Sequence, residues 1–383
     1  MSTDGEWASW LTVDPAIERA STPDASIYSD LDFYRRGAQR LFARTWHVAG
    51  DRQGARVPGA TLPTTLLPGF LDEPLVFTRD NADGLHCLSN VCTHRGNQVV
   101  EHAGVEPYLR CRYHGRRFGL DGRFLSMPEF DAVEGFPSAA DDLPRIPFES
   151  WGPVLFASLD PLHPFEELIA PIRERAAFLP LDEFVFDAGR SRDYLVKANW
   201  ALYCENYLEG FHVPFVHAGL ADELDYGSYS TELFPWTSLQ LGVSKGGDEV
   251  FDLPHHHPDA GRPIAAYYFF LFPGTMVNLY PWGLSLNVIQ PQAVDRTKVS
   301  FRTWVWKPEL LDRGAGGELD RVEREDEAIV EAVQVGVRSR LYRRGRYSPA
   351  REQCVHHFHR LLSRVLAPAG STAHAHASVH AST

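Results

Sequence analysis

Apolar and polar positions change rhythm several times along this chain of 383 residues. After a polar start rich in Pro, Ser and Asp, Phe33, Ala38, Leu41 and Phe42 recur at roughly helical spacing behind a capping Ser29 or Asp30. That pattern predicts a helix over residues 30–44. From Trp46 to about Leu159 the period shortens. β-favouring runs at 61–67, 74–78, 85–91, 108–113 and 154–158 alternate with Gly, Pro, Asp and Asn turns, which predicts a small all-β unit. A proline-punctuated connector over 161–180 has helical character near 165–168 and 173–178.

Beyond it, 193–197 reads as a strand and 200–211 as a helix, followed by strands at 264–272, 276–280, 284–290 and 298–307 of one antiparallel sheet. The last alternates cleanly, with Val299, Phe301, Thr303 and Val305 on one face and Ser300, Arg302, Trp304 and Trp306 on the other. A long helix over 318–342 and another over 349–365 close the chain, before a low-complexity Ala/Ser/Thr/His tail that predicts disorder. The expected architecture is α+β: an N-terminal helical segment (1–44) packing on the later domain, an all-β domain (45–160), an antiparallel sheet with a long closing helix (161–366), and a disordered tail (367–383).

Composition changes this picture little. The chain is 44% hydrophobic and 23% charged, as soluble proteins are. The longest apolar run, 264–272, is about half a bilayer span. With no basic-then-apolar N-terminal signal, a cytoplasmic protein without membrane contact is expected. A net charge of -13 without a basic block argues against nucleic acid. Five cysteines, an odd count without an export signal, point away from a disulfide framework and toward metal ligation for any regularly spaced pair.

Two groups of residues carry candidate chemistry. In Glu209-Gly210-Phe211-His212-Val213-Pro214-Phe215-Val216-His217 a carboxylate precedes two imidazoles, and two His plus a carboxylate is the set that holds non-haem Fe(II) with positions open for dioxygen. Pro214 lies between the His residues and should loosen the helix so that His217 turns back toward His212. In the closing helix Val322, Ile329, Val333 and Val337 form an apolar stripe. Asp326 falls near its centre, with Glu325 about 80° and Glu327 about 100° to either side. A carboxylate on a buried face needs a partner, either an arginine or a metal ion.

The second group is Cys92-Thr93-His94 and, after sixteen intervening residues, Cys111-Arg112-Tyr113-His114. Each half supplies one Cys and one His from an expected β-hairpin loop. Zinc and a Rieske [2Fe-2S] cluster both accept two Cys and two His, but zinc fingers usually keep like ligands together. Gly96 and Gly115 allow backbone N–H groups to approach a cluster sulfide.

These residues resemble the oxygenase component of the Rieske non-haem iron oxygenases. Cys92, His94, Cys111 and His114 match that family's cluster motif, continued by Leu120-Asp121-Gly122, Trp151-Gly152, Asn199-Trp200 and Glu205-Asn206-Tyr207. Arg116 departs from it, standing where the family usually has Trp. The resemblance implies a Rieske domain followed by a helix-grip catalytic domain, with a mononuclear iron on His212, His217 and Asp326. It implies that Glu209 bridges the iron site of one subunit to a cluster His of the next in a homotrimer, and that Asn206 lies behind the iron ligands. Most members have Asp at Glu209; Glu occurs in those resembling choline, carnitine and betaine monooxygenases. A separate reductase, with or without a ferredoxin, would bring electrons from NAD(P)H, with O2 and a small organic molecule as co-substrates.

A cavity between sheet and closing helix is expected to be lined by Tyr207, Phe211, Phe215, Leu220, Tyr268, Phe270, Asn278, Tyr280 and Trp282. Such aromatics serve a quaternary ammonium or a planar ring equally well. Glu209 favours hydroxylation or N-demethylation of a methylated amine. The alternatives are hydroxylation of an aromatic acid or natural-product scaffold and, in another class, an iron–sulfur electron carrier without oxygenase chemistry. A carboxylate in the cavity would favour the amine and an Arg the acid. His255, His256 and His257, like His356, His357 and His359 and the tail's His374, His376 and His380, are expected to be solvated or lightly packed. Gly314-Ala315-Gly316-Gly317 lacks the strand and spacing of a dinucleotide fingerprint.

Overall fold

The short runs of the first half do fold as strands, and their turns position the paired Cys and His. The computed structural model describes residues 4–217, 225–246, 249–317 and 319–367. It divides into two compact units, Ala43–Leu162 and the combination of Met1–Phe42 with His163–Thr383.

The smaller unit contains β1 (His47–Asp51), β2 (Ala60–Leu66), β3 (Glu73–Arg79), β4 (Leu85–Ser89), β5 (Gly104–Val105), β6 (Leu109–Arg110), β7 (Arg117–Phe118), β8 (Phe124–Ser126), β9 (Phe148–Trp151) and β10 (Val154–Ala157). They form sheets of order β1-β10-β9, β4-β3-β2-β5 and β6-β7-β8. The expected strand over 108–113 is only two residues long, because the chain from Cys111 to Arg116 is the hairpin loop itself.

In the larger unit β11 (Val185–Val196), β12 (Ser230–Leu233), β13 (Thr237–Val243), β14 (Ile264–Leu271), β15 (Thr275–Tyr280), β16 (Gly283–Ala293) and β17 (Arg296–Val305) make one antiparallel sheet of order β11-β17-β16-β15-β14-β13-β12. Its register sets side chains in rows. Gln240, Tyr268, Asn278, Ser285 and Thr303 stand side by side across five strands. The next row on the same face runs Ser238, Phe270, Met276, Asn287 and Phe301.

The closing helix, Leu319–Gly336, buries Glu323, Val330 and Gln334, with Val337 just beyond its end. The apolar stripe expected from the sequence is therefore rotated, since Ile329 and Val333 are exposed in the single chain. The buried face is polar because it anchors the backbone opposite. Gln334 accepts from the Asn199 amide at 2.7 Å, and Glu331 from the Lys197 amide at 2.9 Å. Tyr194 and Tyr203 donate to Asp320 and Glu323 at 2.7 and 2.5 Å. Each buried polar group thereby gains a partner that lowers its desolvation cost.

The N-terminal helix Leu31–Arg40 is capped by Asp30, whose carboxylate accepts from the Phe33 amide at 2.7 Å. Arg344 holds the N-terminal segment through the carbonyls of Thr12 and Thr22 at 3.1 and 2.9 Å. The last helix, Gln353–Leu366, buries His356 and His359. His356 donates to the Asp14 carbonyl at 2.7 Å, and a ring nitrogen of His359 lies 2.7 Å from the Tyr347 hydroxyl. His357 is held neutral by burial, its pKa pushed down to about 4. These three, and the buried His257 at 2.9 Å from the Arg175 carbonyl, are packed parts of the structure, not solvated side chains. Long-range partners, invisible to local pattern, account for the difference. Of the other histidines expected to be solvated, His255 and His256 are exposed, while His374, His376 and His380, with the tail, lie outside the described residues. No helix among the described residues is long and apolar enough to cross a membrane.

Candidate metal centres and substrate cavity

In the smaller unit two loops of similar design present the Cys and His. In one, the Cys92 amide donates to the Asn97 carbonyl and the Gly96 amide to the Cys92 carbonyl, at 2.8 and 2.9 Å. In the other, the Cys111 amide donates to the Arg116 carbonyl and the Gly115 amide to the Cys111 carbonyl, at 2.8 and 3.0 Å. Gly96 and Gly115 sit at φ +70° and +75°, and nothing lies within 4 Å of a Cβ built on Gly96. Both glycines therefore answer a requirement of backbone conformation.

Cys92 and Cys111 are buried, and the rings of His94 and His114 lie 4.8 Å apart between centroids. Burial raises the Cys92 thiol, and Cys111 raises it further, a cost that a bound cation would offset. His94 is pushed down by burial and then by the charges of His114, Arg95 and Arg116. The Asn97 side-chain amide reaches the Cys111 sulfur at 3.7 Å, a hydrogen bond between the loops that sequence reading did not foresee. Two Cys on one side and two His on the other fit a cluster of two irons.

In the larger unit, the helix Trp200–Tyr207 ends before Glu209. His212 caps a second short helix, Val213–Val216, and His217 ends it. Pro214 lies in the first turn of the new helix and breaks none, a correction to the sequence expectation. His212 Nε2 and His217 Nε2 lie 3.2 Å apart, and Asp326 Oδ1 is 3.3 and 3.0 Å from them. Cis ligands on an octahedral ion with bonds of about 2.1 Å stand about 3 Å apart, so the three atoms describe one face of such an ion.

Each ring is aimed by a carboxylate on its other nitrogen. His212 Nδ1 donates to Glu209 Oε1 at 2.6 Å, and His217 Nδ1 to Glu325 Oε2 at 2.7 Å. This fixes the tautomer that leaves both Nε2 atoms free for a metal. Burial opposes charge on His212, yet Asp326 and Glu209 outweigh it and raise the ring to about 9. Asp326 is held low by the two imidazoles despite its burial. The surplus of negative charge suits a divalent cation, whose binding would displace those protons.

Glu325 is the residue the helical wheel set aside. Its partner arrives from another element, so no periodicity within the helix could reveal it. Glu325→Gln is expected to weaken iron binding about 10- to 100-fold, as loss of such supporting carboxylates typically does. Chelator competition reads this, with the iron–sulfur spectrum unchanged.

Beside these three donor atoms lies a cavity of about 140 Å³. Tyr207, Tyr268, Asn278 and Tyr280 line it as expected, with Asn206 and Glu209. Phe211 and Phe215 do not; they are 42% and 81% exposed. Phe270 shares the face of Tyr268 but stands one row away against Phe358, at 5.5 Å between rings. Trp282 sits in the turn beyond the rows and stacks on Tyr280 at 5.1 Å. Leu220 lies outside the described residues. Sequence reading missed Tyr203, Tyr229, Gln240, Ser285, Asn287, Phe301 and Glu323. Strand β13, which brings Gln240, was legible in the alternation of Leu239, Leu241 and Val243.

The comparisons with known proteins bear on both units. Residues 62–137 match the Rieske [2Fe-2S] domain and residues 181–368 the ring hydroxylating alpha subunit (catalytic domain). Choline monooxygenase, chloroplastic, from Arabidopsis thaliana is 31% identical over 371 residues, spanning 91% of this chain and 84% of the relative. The chain belongs to the Rieske non-haem iron oxygenases. The carnitine monooxygenase oxygenase subunit of Escherichia coli (strain K12) is 27% identical over 363 residues, covering 91% of this chain and 94% of that one. A solved quaternary ammonium Rieske monooxygenase superposes with a TM-score of 0.73 at 21% identity, over 95% of this chain and 99% of that one. A naphthalene 1,2-dioxygenase superposes at 0.70 and 16%, over 94% and 95%. These last two establish the fold alone. This Rieske oxygenase therefore uses a [2Fe-2S] cluster and a mononuclear iron, and works with a partner reductase and O2.

Proposed function

We propose that this oxygenase hydroxylates a carbon next to the nitrogen of a methylated or quaternary amine. The observation that carries the reading is the charge of the cavity wall. It holds the carboxylates of Glu209, Glu323 and Asp326 and the rings of Tyr203, Tyr207, Tyr229, Tyr268 and Tyr280, and among the described residues no Lys or Arg. An anionic aromatic acid would be repelled there, whereas an ammonium gains both carboxylate attraction and cation–π contact. The similarity to choline and carnitine monooxygenases supports the same class.

In this reading Cys92, His94, Cys111 and His114 hold the cluster, and His212, His217 and Asp326 hold the iron. Asn206 stands behind them, and Glu209 carries the electron between neighbouring subunits of a homotrimer. The iron supplies dioxygen chemistry: R–CH3, O2, two electrons and two protons give R–CH2OH and water. A carbinol on nitrogen then loses formaldehyde, leaving the demethylated amine.

The residues of the chain hold the substrate. Tyr207 donates to Asn278 Oδ1 at 2.9 Å, and Asn278 in turn donates to Asn287 Oδ1 at 3.1 Å. Tyr229 donates to Gln240, whose amide donates to the Tyr207 carbonyl at 2.8 Å. This ladder along the sheet row fixes the ring faces before substrate enters, reducing the entropy cost of binding. Glu323 is 3% exposed. One carboxylate oxygen accepts from Tyr203, and the other has no hydrogen-bond partner among the described residues. Burial, and then Asp326 and Glu327, push its pKa up, against the pull of Tyr203. A cation in the cavity would favour the charged carboxylate.

Turnover of trimethylammonium compounds and aromatic acids with a surrogate reductase, read as O2 uptake coupled to product, tests the reading. Oxidation of the cations is expected; a higher kcat/KM for an aromatic acid would overturn it. Glu323→Gln should raise KM for the cation about tenfold, the loss of one hydrogen-bonded charge. The same change should leave the neutral tert-butyl analogue unaffected.

A further inference from the structure

Arg116 is buried, at 2% exposure, in the loop that carries Cys111 and His114. Its guanidinium donates to Asp141 Oδ1 at 2.6 Å and to the Asp141 carbonyl at 3.1 Å. It lies 5.0 to 5.6 Å from the ring centres of Phe118, Phe124 and Phe136. Its Nε has no hydrogen-bond partner among the described residues. The same Asp141 carbonyl accepts from the Thr93 hydroxyl at 2.8 Å, and Thr93 lies between Cys92 and His94. One residue outside both loops thus joins them.

The pair is electrically lopsided. The Asp141 carboxylate is 20% exposed and also accepts from the Ser138 amide and hydroxyl, at 2.7 and 3.1 Å. Its charge is spread over three donors and partly hydrated. Among the described residues the guanidinium has three apolar rings, one backbone carbonyl and one counter-ion around it. In such surroundings a cation is poorly screened.

We propose that Arg116 raises the reduction potential of the iron–sulfur centre, with Asp141 as the partner that moderates it. Reduction takes one electron from the reductase and adds one negative charge to the cluster, which a buried cation stabilises. The family's Trp at this position has no charge to offer, so the effect belongs to this chain.

The test is a spectroelectrochemical titration of the purified holoprotein, with EPR confirming that the cluster's ligands are unchanged. Poised at the wild-type midpoint, Arg116→Trp is expected to move the oxidised-to-reduced ratio about tenfold toward oxidised, tenfold being 59 mV for one electron. Arg116→Lys should stay within a factor of three of wild type. Asp141→Asn, which leaves the guanidinium without its counter-ion, should move the ratio the other way. A structural clamp has no reason to give opposite signs. Shifts of one sign in Arg116→Trp and Asp141→Asn, no shift in Arg116→Trp, or loss of the cluster from all three variants would overturn the proposal.

Discussion

His212→Ala is expected to abolish substrate oxidation, lowering turnover roughly a thousandfold or more, while the cluster's visible and EPR spectra remain those of the wild type. The expectation follows from the three donor atoms, each 3.0 to 3.3 Å from the other two. Removing one leaves an imidazole and a carboxylate on an open site, which is too few to retain Fe(II) in competition with water. The Cys and His of the smaller unit belong to separate loops and are untouched. Asp326→Ala should behave alike, since it removes the anionic member of the same face. Iron analysis separates the outcomes: wild type should hold three irons per chain and the variants two. Unchanged turnover in His212→Ala, or no mononuclear iron in the wild type, would sink the assignment and leave an electron carrier.

Asp326 was legible in the sequence for a reason that was only partly right. The apolar stripe used to place it is displaced on the folded helix, whose buried face carries Glu323 and Gln334. Asp326 reaches His212 and His217 because it lies one turn from Glu323 and one turn from Val330, on the flank of that face. A helical wheel assumes that buried means apolar. Here burial was set by polar anchors to the backbone at 197–199, which no local pattern contains.

The same limit explains the cavity. Tyr268 and Asn278 were foreseen because they lie in runs that read plainly as strands. Which neighbours join them depends on register across strands and on packing from other elements, and Phe270, two residues along, is packed against Phe358 instead. The four Cys and His proposed to hold the cluster were the most legible part, because both loops are local hairpin structures whose spacing and glycines are written in consecutive residues. Glu325 was the least, being brought to His217 from 108 residues away.

Glu209 combines two duties that substitution can separate. Its Oε1 accepts from His212 Nδ1 at 2.6 Å, while Oε2 accepts from the backbone amides of Phe211 and His212, the latter at 3.0 Å. The carboxylate therefore shapes the turn that presents His212 as well as aiming its ring. Glutamine keeps an oxygen for the turn but offers an N–H where the imidazole needs an acceptor. Glu209→Gln should weaken iron binding about as Glu325→Gln does and, in enzyme reloaded with iron, slow the passage of the electron into its site at least about a hundredfold, the scale of a loss of positioning by about 1 Å. Chemically reduced enzyme mixed with substrate and O2 reads this directly, as reoxidation of the cluster in a single turnover. Glu209→Asp keeps the charge one methylene short and should fall between Gln and wild type. Glu209→Ala, which loses turn and ring contact together, should also lose iron. Reoxidation in Glu209→Gln within threefold of wild type would leave Glu209 as a structural cap, and the electron would need another route.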